Sequence, residues 1–452
     1  MQAIDEHQET GLRRQLGLID SVAIIVGIII GVGIFRAPSS IAGYLDTPSL
    51  ILAAWIVGGL LALCGGLCYA ELSASLPKTG GDYVYLRESY GPAASFLFGW
   101  TKLLVVRPGS IASISFVFSG YAGYFLPLSP VGARATAVGA IILLTAINLF
   151  GLRFGKATQN LLAAAKVLGL LLLALFGLLL GKGSFSNLQI ISSTAPPASL
   201  PGAFGVALIF VLWTYGGWNE STYVAGEMRR PARDLPRSIA IGIFGILVLY
   251  LAINAAYLYN IPLPEMADSE MVASVLADRL FGPAGGTLIA VLVMISALGA
   301  LNGLILTGAR ISYAFGDDNP GLGHLSKVHA RYHTPARALL LNAVWSIGLV
   351  FSGTFDHLVS YTSAVTWLFY GMTAGSLFIL RRKFPDLKRP YKTWGYPVVP
   401  AIFLIVSLWL VYNTLMYSPS GAFYGVALML VGLPVYLFSR KWANRQRPIH
   451  RI

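Results

Sequence analysis

The chain alternates long apolar runs with short polar segments. Twelve of the runs are long enough to cross a bilayer as helices, for which about 20 residues suffice. They cover roughly 17–44, 49–76, 93–126, 133–151, 157–181, 202–227, 237–259, 284–314, 336–352, 356–382, 397–416 and 421–440. Most are apolar all round, so the informative positions are the interruptions. The first run contains Gly27-Ile28-Ile29-Ile30-Gly31-Val32-Gly33-Ile34-Phe35. Glycine weakens a helix by about 1 kcal/mol per position, so these glycines need a reason. One reading is a smooth face for a close-packed neighbour. The other is a helix that stops and restarts, leaving peptide groups free to hold a ligand. The sixth run is interrupted in the same way, at Trp213-Thr214-Tyr215-Gly216-Gly217-Trp218-Asn219-Glu220.

Interrupted helices 1 and 6 lie five spans apart. Five is odd, so a second repeat beginning at span 6 runs upside down relative to the first, the pattern of inverted-repeat transporters. The chain then divides into a tail (1–16), a first repeat (17–181), a second repeat (202–382), two further spans (397–440) and a second tail (441–452). The expected fold is an all-α integral membrane protein of twelve transmembrane helices in a five-plus-five arrangement, with helices 1 and 6 broken.

Composition agrees with the pattern. Of 452 residues, 56% are hydrophobic and 11% charged, and the mean hydropathy is +0.69, values that exclude a soluble domain of this size. With both termini placed in the cytoplasm, 25 of the 32 Lys and Arg residues fall in cytoplasmic segments and 3 in outer loops. This bias sets the orientation. It also explains the net charge of +13 without nucleic acid, because the basic segments face an anionic leaflet. No cleavable signal peptide is evident, and the polar N-terminal segment runs straight into the first span. Cys64 and Cys68 lie one turn apart in an apolar span and read as packing residues.

Four basic residues remain inside spans: Arg36, Lys102, Arg107 and Lys166. Charge at that depth must face protein or water. Arg107 precedes Pro108, which removes a backbone hydrogen bond and bends the third span. Lys166 stands too deep to snorkel, so its ammonium should meet carbonyl oxygens or a carboxylate. Glu71, near a span end, reads as solvated or paired with a base. Asn302, between Gly299 and Gly303, either bonds a neighbouring helix or lines a polar site. No nucleotide-binding loop, Ser/His/Asp set or His/Cys metal arrangement is present. His7, His324, His329, His333, His357 and His450 fall in tails or loops. Neither enzymatic chemistry nor a metal or cofactor is expected.

The two breaks imply a ligand. A half-helix starting near Val32-Gly33-Ile34 presents free N–H groups and a positive dipole end, which suit a carboxylate. Half-helices ending near Ile29 and Thr214 offer carbonyls, which suit an ammonium. A molecule carrying both groups one carbon apart is an α-amino acid.

At this point the sequence resembles the L-type amino acid transporter branch of the amino acid–polyamine–organocation (APC) superfamily. The resemblance is carried by Gly31-Val32-Gly33-Ile34-Phe35, Cys68-Tyr69-Ala70-Glu71-Leu72, Gly80-Gly81-Asp82-Tyr83, Arg107-Pro108-Gly109-Ser110, Ala164-Ala165-Lys166, Tyr215-Gly216-Gly217-Trp218-Asn219, Leu301-Asn302-Gly303 and Gly432-Leu433-Pro434-Val435-Tyr436. It implies the LeuT-like, or APC, fold with substrate near the bilayer midplane. It implies an amino acid backbone held by Ile29, Gly31, Val32, Gly33, Trp213, Thr214 and Gly216, with Trp213 as a gate and Asn302 lining the site. Lys166 matches the lysine that stands where sodium-coupled relatives hold a cation, so sodium coupling is not expected.

Some positions depart from the family pattern. Val32 replaces a serine, Trp213 a phenylalanine and Thr214 an alanine, which reshapes the pocket. The loop after span 3 has no cysteine, so the disulfide-linked heavy subunit of animal members is not expected. Arg36 and Glu220 each follow a break glycine by three residues. They are expected to occupy equivalent positions in two outer half-helices and either to pair across an outer vestibule and help gate it or to face water singly; with Arg107 they are the candidates for gating or coupling. The function implied is a secondary transporter of amino acids in the cell membrane, working by alternating access. The mode is exchange or facilitated uptake, or proton-linked transport through Glu220 or Glu71. A polyamine or organic amine carrier would need carboxylates lining the site. A non-transporting sensor would carry a further signalling domain.

Overall fold

The computed structural model describes residues 12–188, 200–269, 271–352, 355–417 and 419–446. The ends of both tails, with His7 and His450, lie outside the described residues. Every regular element among those described is helical, and Leu16 and Met228 form an isolated bridge. Seven helices are long and apolar enough to cross a bilayer: α3 (Pro48–Ser75), a composite of α5 and α6 (Pro92–Thr101 and Arg107–Ala122), α7 (Pro130–Leu149), α8 (Leu152–Leu179), α10 (Pro231–Asn260), α13 (Ala284–Asp318) and α16 (Val398–Tyr417). α1 (Leu18–Ile29) and α2 (Gly33–Tyr44) are apolar enough only as a pair, bent by 44° at the break, and add an eighth if the pair is counted as one span. Shorter apolar stretches lie in α9 (Leu200–Thr214), α14 (Ala336–Ser352) and α17 (Pro419–Gln446), and α15 (Phe355–Lys383) is more polar. Three small helices pack on the longer ones: α4 (Asp82–Tyr90) on α5 and α15, α11 (Leu263–Asp268) on α2, and α12 (Val272–Phe281) on α13.

Local chemistry sets the boundaries. Thr47 caps α3 and Ser129 caps α7 by accepting from Leu50 N and Gly132 N, each with proline at the first helical position. After α3 the chain turns through Pro77 and through Gly80 and Gly81, both at positive φ, into α4. Glu71 is a structural residue: both its oxygens accept from Arg381, and Thr393 N donates to it at 2.6 Å. Its partners lie more than 300 positions away and tie α3 to α15 and to the segment after it. Cys64 and Cys68 are free thiols, Cys68 fully buried.

The third span absorbs its proline differently from a simple bend. Lys102–Val106 form one π turn, in which Arg107 N donates to Lys102 O. Such turns recur at functional sites.

The two interrupted elements pack against each other in opposite directions. α2 lies along α9, and α1 lies along the 3-10 segment Glu220–Glu227 that follows the second interruption. That crossing positions the site.

Candidate binding site between the two helix breaks

α1 ends at Ile29, and α2 begins at Gly33. Ile30 leaves helical geometry at φ −73°, ψ 73°, and Gly31 N turns back to Ile29 O at 2.7 Å. The N–H groups of Val32, Gly33 and Ile34 donate to no carbonyl among the described residues; the first bond of the new turn is Phe35 N to Val32 O. Gly33 is required for contact with α9: a Cβ there would stand 3.0 Å from the Thr214 side chain and 3.1 Å from the Trp213 ring.

The acceptors of this break are engaged from within the protein. The buried Lys166 ammonium donates to Gly27 O and Ile30 O at 2.7 Å each and to Ser296 O at 2.8 Å. Gly299 leaves the space it occupies. Ser296 Oγ donates to Ile30 O at 2.8 Å, and Tyr250 Oη donates to Ile29 O at 3.0 Å. The carbonyl at Ile29, expected to be open for a ligand ammonium, therefore already holds a donor. That donor comes from α10, packed behind the break and far from it in sequence.

The second break differs. α9 ends at Thr214, Gly216 N returns to Trp213 O, and Gly217 adopts φ +114°. A Cβ on Gly217 would meet Ile28 at 2.7 Å, so this glycine admits α1. The carbonyls of Tyr215 and Gly216 accept no hydrogen bond from the described residues. Asn219, just beyond, donates to Asp82 Oδ2 at 3.1 Å and accepts from Tyr370 Oη at 3.0 Å. Buried Asp82 also accepts from Tyr223, Thr373 and Tyr69.

Both breaks line one cavity of about 200 Å³, whose lining includes Ile29, Gly31, Val32, Gly33, Trp213, Thr214 and Gly216. That is the liquid volume of roughly six or seven waters. A larger cavity of about 710 Å³ adjoins it, lined in part by Arg36, Tyr121 and Phe210. Val32, Trp213 and Trp367 line both, so they form the partition.

Two expectations are corrected. Arg36 does not pair with Glu220. Arg36 is exposed in the larger cavity, whereas Glu220 is buried and accepts from Arg107 Nη2 at 2.9 and 3.1 Å and from Thr307 Oγ1 at 2.6 Å. The two interrupted elements cross in opposite directions, so equal spacing from the glycines puts the two charges on opposite sides of the breaks. Arg107 and Glu220 both line the small cavity. Asn302 does not line it. Its side chain joins Asn148, Gln159 and Gly155 O in a buried cluster between α7, α8 and α13. Leu304, about 200° further round the same helix, faces the cavity instead.

Sequence reasoning missed Tyr250, Ser296, Trp367 and Tyr370, which carry no local anomaly. It also left Lys102 without a role, although a lysine inside an apolar span was a usable signal. No group of three or more His, Cys, Asp or Glu able to hold a metal occurs among the described residues.

Comparison with known proteins gives a consistent picture. The model of a family described as amino acid permease matches residues 16–438. The chain is 35% identical over 455 residues to the b(0,+)-type amino acid transporter 1 of Mus musculus, covering 98% of this chain and 92% of that protein. It is 30% identical over 437 residues to the serine/threonine exchanger SteT of Bacillus subtilis (96% and 98%). It is 32% identical over 454 residues to the human large neutral amino acids transporter small subunit 2 (96% and 82%).

Proposed function

The chain belongs to the amino acid permease family and is a secondary transporter of amino acids, and from that premise we propose how its site takes the substrate. The amino acid lies in the small cavity, its carboxylate on the N–H groups of Val32, Gly33 and Ile34 and its ammonium near the carbonyls of Tyr215 and Gly216. The observation that carries this reading is the asymmetry of the breaks. Donors are left open at the first and acceptors at the second, and both line one cavity. Peptide groups suit this task because each substrate shares the same backbone.

The helical passes are read as twelve spans in a five-plus-five inverted repeat, with both termini in the cytoplasm of a cell-membrane protein. On this reading the larger cavity is the outer vestibule and Trp213 is its gate. The cytoplasmic end is closed by Glu227. Its backbone oxygen accepts from Gln15 and Leu16, and its carboxylate from the buried Arg310. Substrate release inward requires these contacts to part. Lys166 occupies the carbonyl cluster that a cation would otherwise fill, which supports sodium-independent transport. The chain is read as working without a disulfide-linked heavy subunit, since the loop after the third span lacks cysteine. A polyamine cargo is disfavoured because Lys102 and Arg107 face the cavity with a single carboxylate, Glu220.

Uptake of a labelled amino acid panel into proteoliposomes tests the reading. Uptake that appears only with amino acid inside establishes exchange, and acceleration by a pH gradient indicates proton linkage instead. Dependence on sodium overturns the role given to Lys166. Purified protein that moves no amino acid overturns the whole reading.

A further inference from the structure

The small cavity contains more cationic donors than the protein uses. Lys102 and Arg107 both line it, and both are about 97% buried. In an α-helix, residues five apart are about 140° apart around the axis. The π turn changes this. Its hydrogen bond from Arg107 N to Lys102 O closes a ring one residue larger, so residues five apart fall on the same face. The backbone thus gathers two like charges, at the cost of their repulsion and desolvation.

Two carboxylates stand near, and each is already engaged. Glu220 accepts from Arg107 and Thr307. Asp82 accepts from Tyr69, Tyr223, Asn219 and Thr373. The Lys102 ammonium has no hydrogen-bond acceptor or ion-pair partner among the described residues. It lies over the rings of Phe98 at 5.5 Å and Tyr223 at 5.9 Å. Arg107 Nε is buried with no partner. Summed over Lys102, Arg107 and Glu220, the lining is one positive charge in excess.

We infer that Lys102 is a specificity-determining residue, and that it receives a substrate side chain ending in an oxygen acceptor: a carboxylate or a primary amide. A ligand oxygen would satisfy the ammonium and, for a carboxylate, balance the charge of the lining. A substrate whose side chain is cationic would meet the like charge of Lys102, which has no direct partner, in the same space. The inference rests on the proposed placement of the amino acid in this cavity.

The test uses the full chain in proteoliposomes with labelled leucine, lysine, glutamine and glutamate. In the wild type, kcat/KM for glutamine or glutamate exceeds that for lysine by at least tenfold. In Lys102→Met the ratio of glutamine and glutamate uptake to leucine uptake falls about tenfold or more, the scale of a lost charge-assisted hydrogen bond. Because the readout is a ratio within one preparation, reduced folding yield does not imitate it. Lys102→Gln, which keeps a donor, restores part of the glutamine signal and provides a second variant. Leucine uptake with glutamine and glutamate both excluded overturns this inference alone, as does an unchanged ratio in both variants. Failure to carry any of the four overturns the binding-site reading together with it.

Discussion

The two helix breaks face the same cavity yet are held in different ways. At the first, helices α8, α10 and α13 send Lys166, Tyr250 and Ser296 onto the exposed carbonyls. At the second, the carbonyls of Tyr215 and Gly216 receive no such donor, and bracing comes later, through Asn219 and Asp82. The difference separates two tasks that a single break would have to combine. A break with its acceptors filled presents only donors, which suit a carboxylate. A break with its acceptors open can read an ammonium. The ammonium of Lys166 makes the first break one-sided, and it does so permanently, because a side chain does not dissociate as a bound cation does.

The largest effect is expected at the charged pair beside the second break. Glu220→Ala leaves Arg107 buried without its carboxylate, a loss of about 3–5 kcal/mol, read as a fall in thermal stability in detergent together with lost uptake. Exchanging the pair as Arg107→Glu with Glu220→Arg should recover part of that stability. Exchanging Arg36→Glu with Glu220→Arg should recover none, because Arg36 stands in the other cavity. Recovery by the Arg36 exchange would overturn the placement of these charges.

Next comes the brace of the first break. Lys166→Met withdraws three hydrogen bonds from buried carbonyls, at about 1 kcal/mol or more each, so stability should drop by roughly 3 kcal/mol and uptake should cease. Gly299→Ala should reproduce the loss in weaker form, since its Cβ would stand 2.8 Å from the Lys166 ammonium. If Lys166→Met keeps both stability and transport, the first break needs no internal cation and the comparison fails.

A smaller contrast lies between the adjacent glycines of the second break. Gly217→Ala forces a side chain into φ +114° and against Ile28, costing about 2 kcal/mol. Gly216 is not at positive φ, and its closest contact would be Trp213 O at 3.1 Å. Gly216→Ala should therefore retain more stability, with its effect appearing in the KM for amino acid. Equal losses in the two variants would mean that the close approach of α1 is not what Gly217 provides.

How far the sequence revealed this arrangement depends on whether a feature is local. Both breaks were legible, because glycines inside an apolar run contradict their surroundings. Lys166 was legible for the same reason, since a lone ammonium in an apolar helix must find oxygen. The pairing of Arg107 with Glu220 was not, because 113 positions separate them and sequence spacing gives no helix rotation. The same limit explains the misplacement of Asn302. Its depth was readable, but not the face it presents, and it turns to Asn148 and Gln159. The π turn was hidden as well: Pro108 announces a disturbance in the helix, but not that it would take the form of one widened turn aligning Lys102 with Arg107.

The smallest expected effect probes the connection between the breaks. Tyr250 Oη lies 3.0 Å from Ile29 O and 3.5 Å from Thr214 O, so one hydroxyl proton serves the ends of both broken helices. Its ring is fixed between Trp55 and Tyr215 by edge and tilted contacts. Tyr250→Phe keeps the ring packing and removes only the hydroxyl, costing about 1 kcal/mol. The carbonyl of Ile29 would still accept from Gly31 N, so the first break should hold. What changes is its acceptor side, which gains an open lone pair. With acceptors open at both breaks, the ammonium of the substrate loses its single location. The variant should therefore raise KM several-fold for all transported amino acids alike, with little change in thermal stability. An altered ranking among substrates would place Tyr250 beside the side chain and not the backbone. An unaltered KM would show that the two breaks need no shared donor to remain distinct.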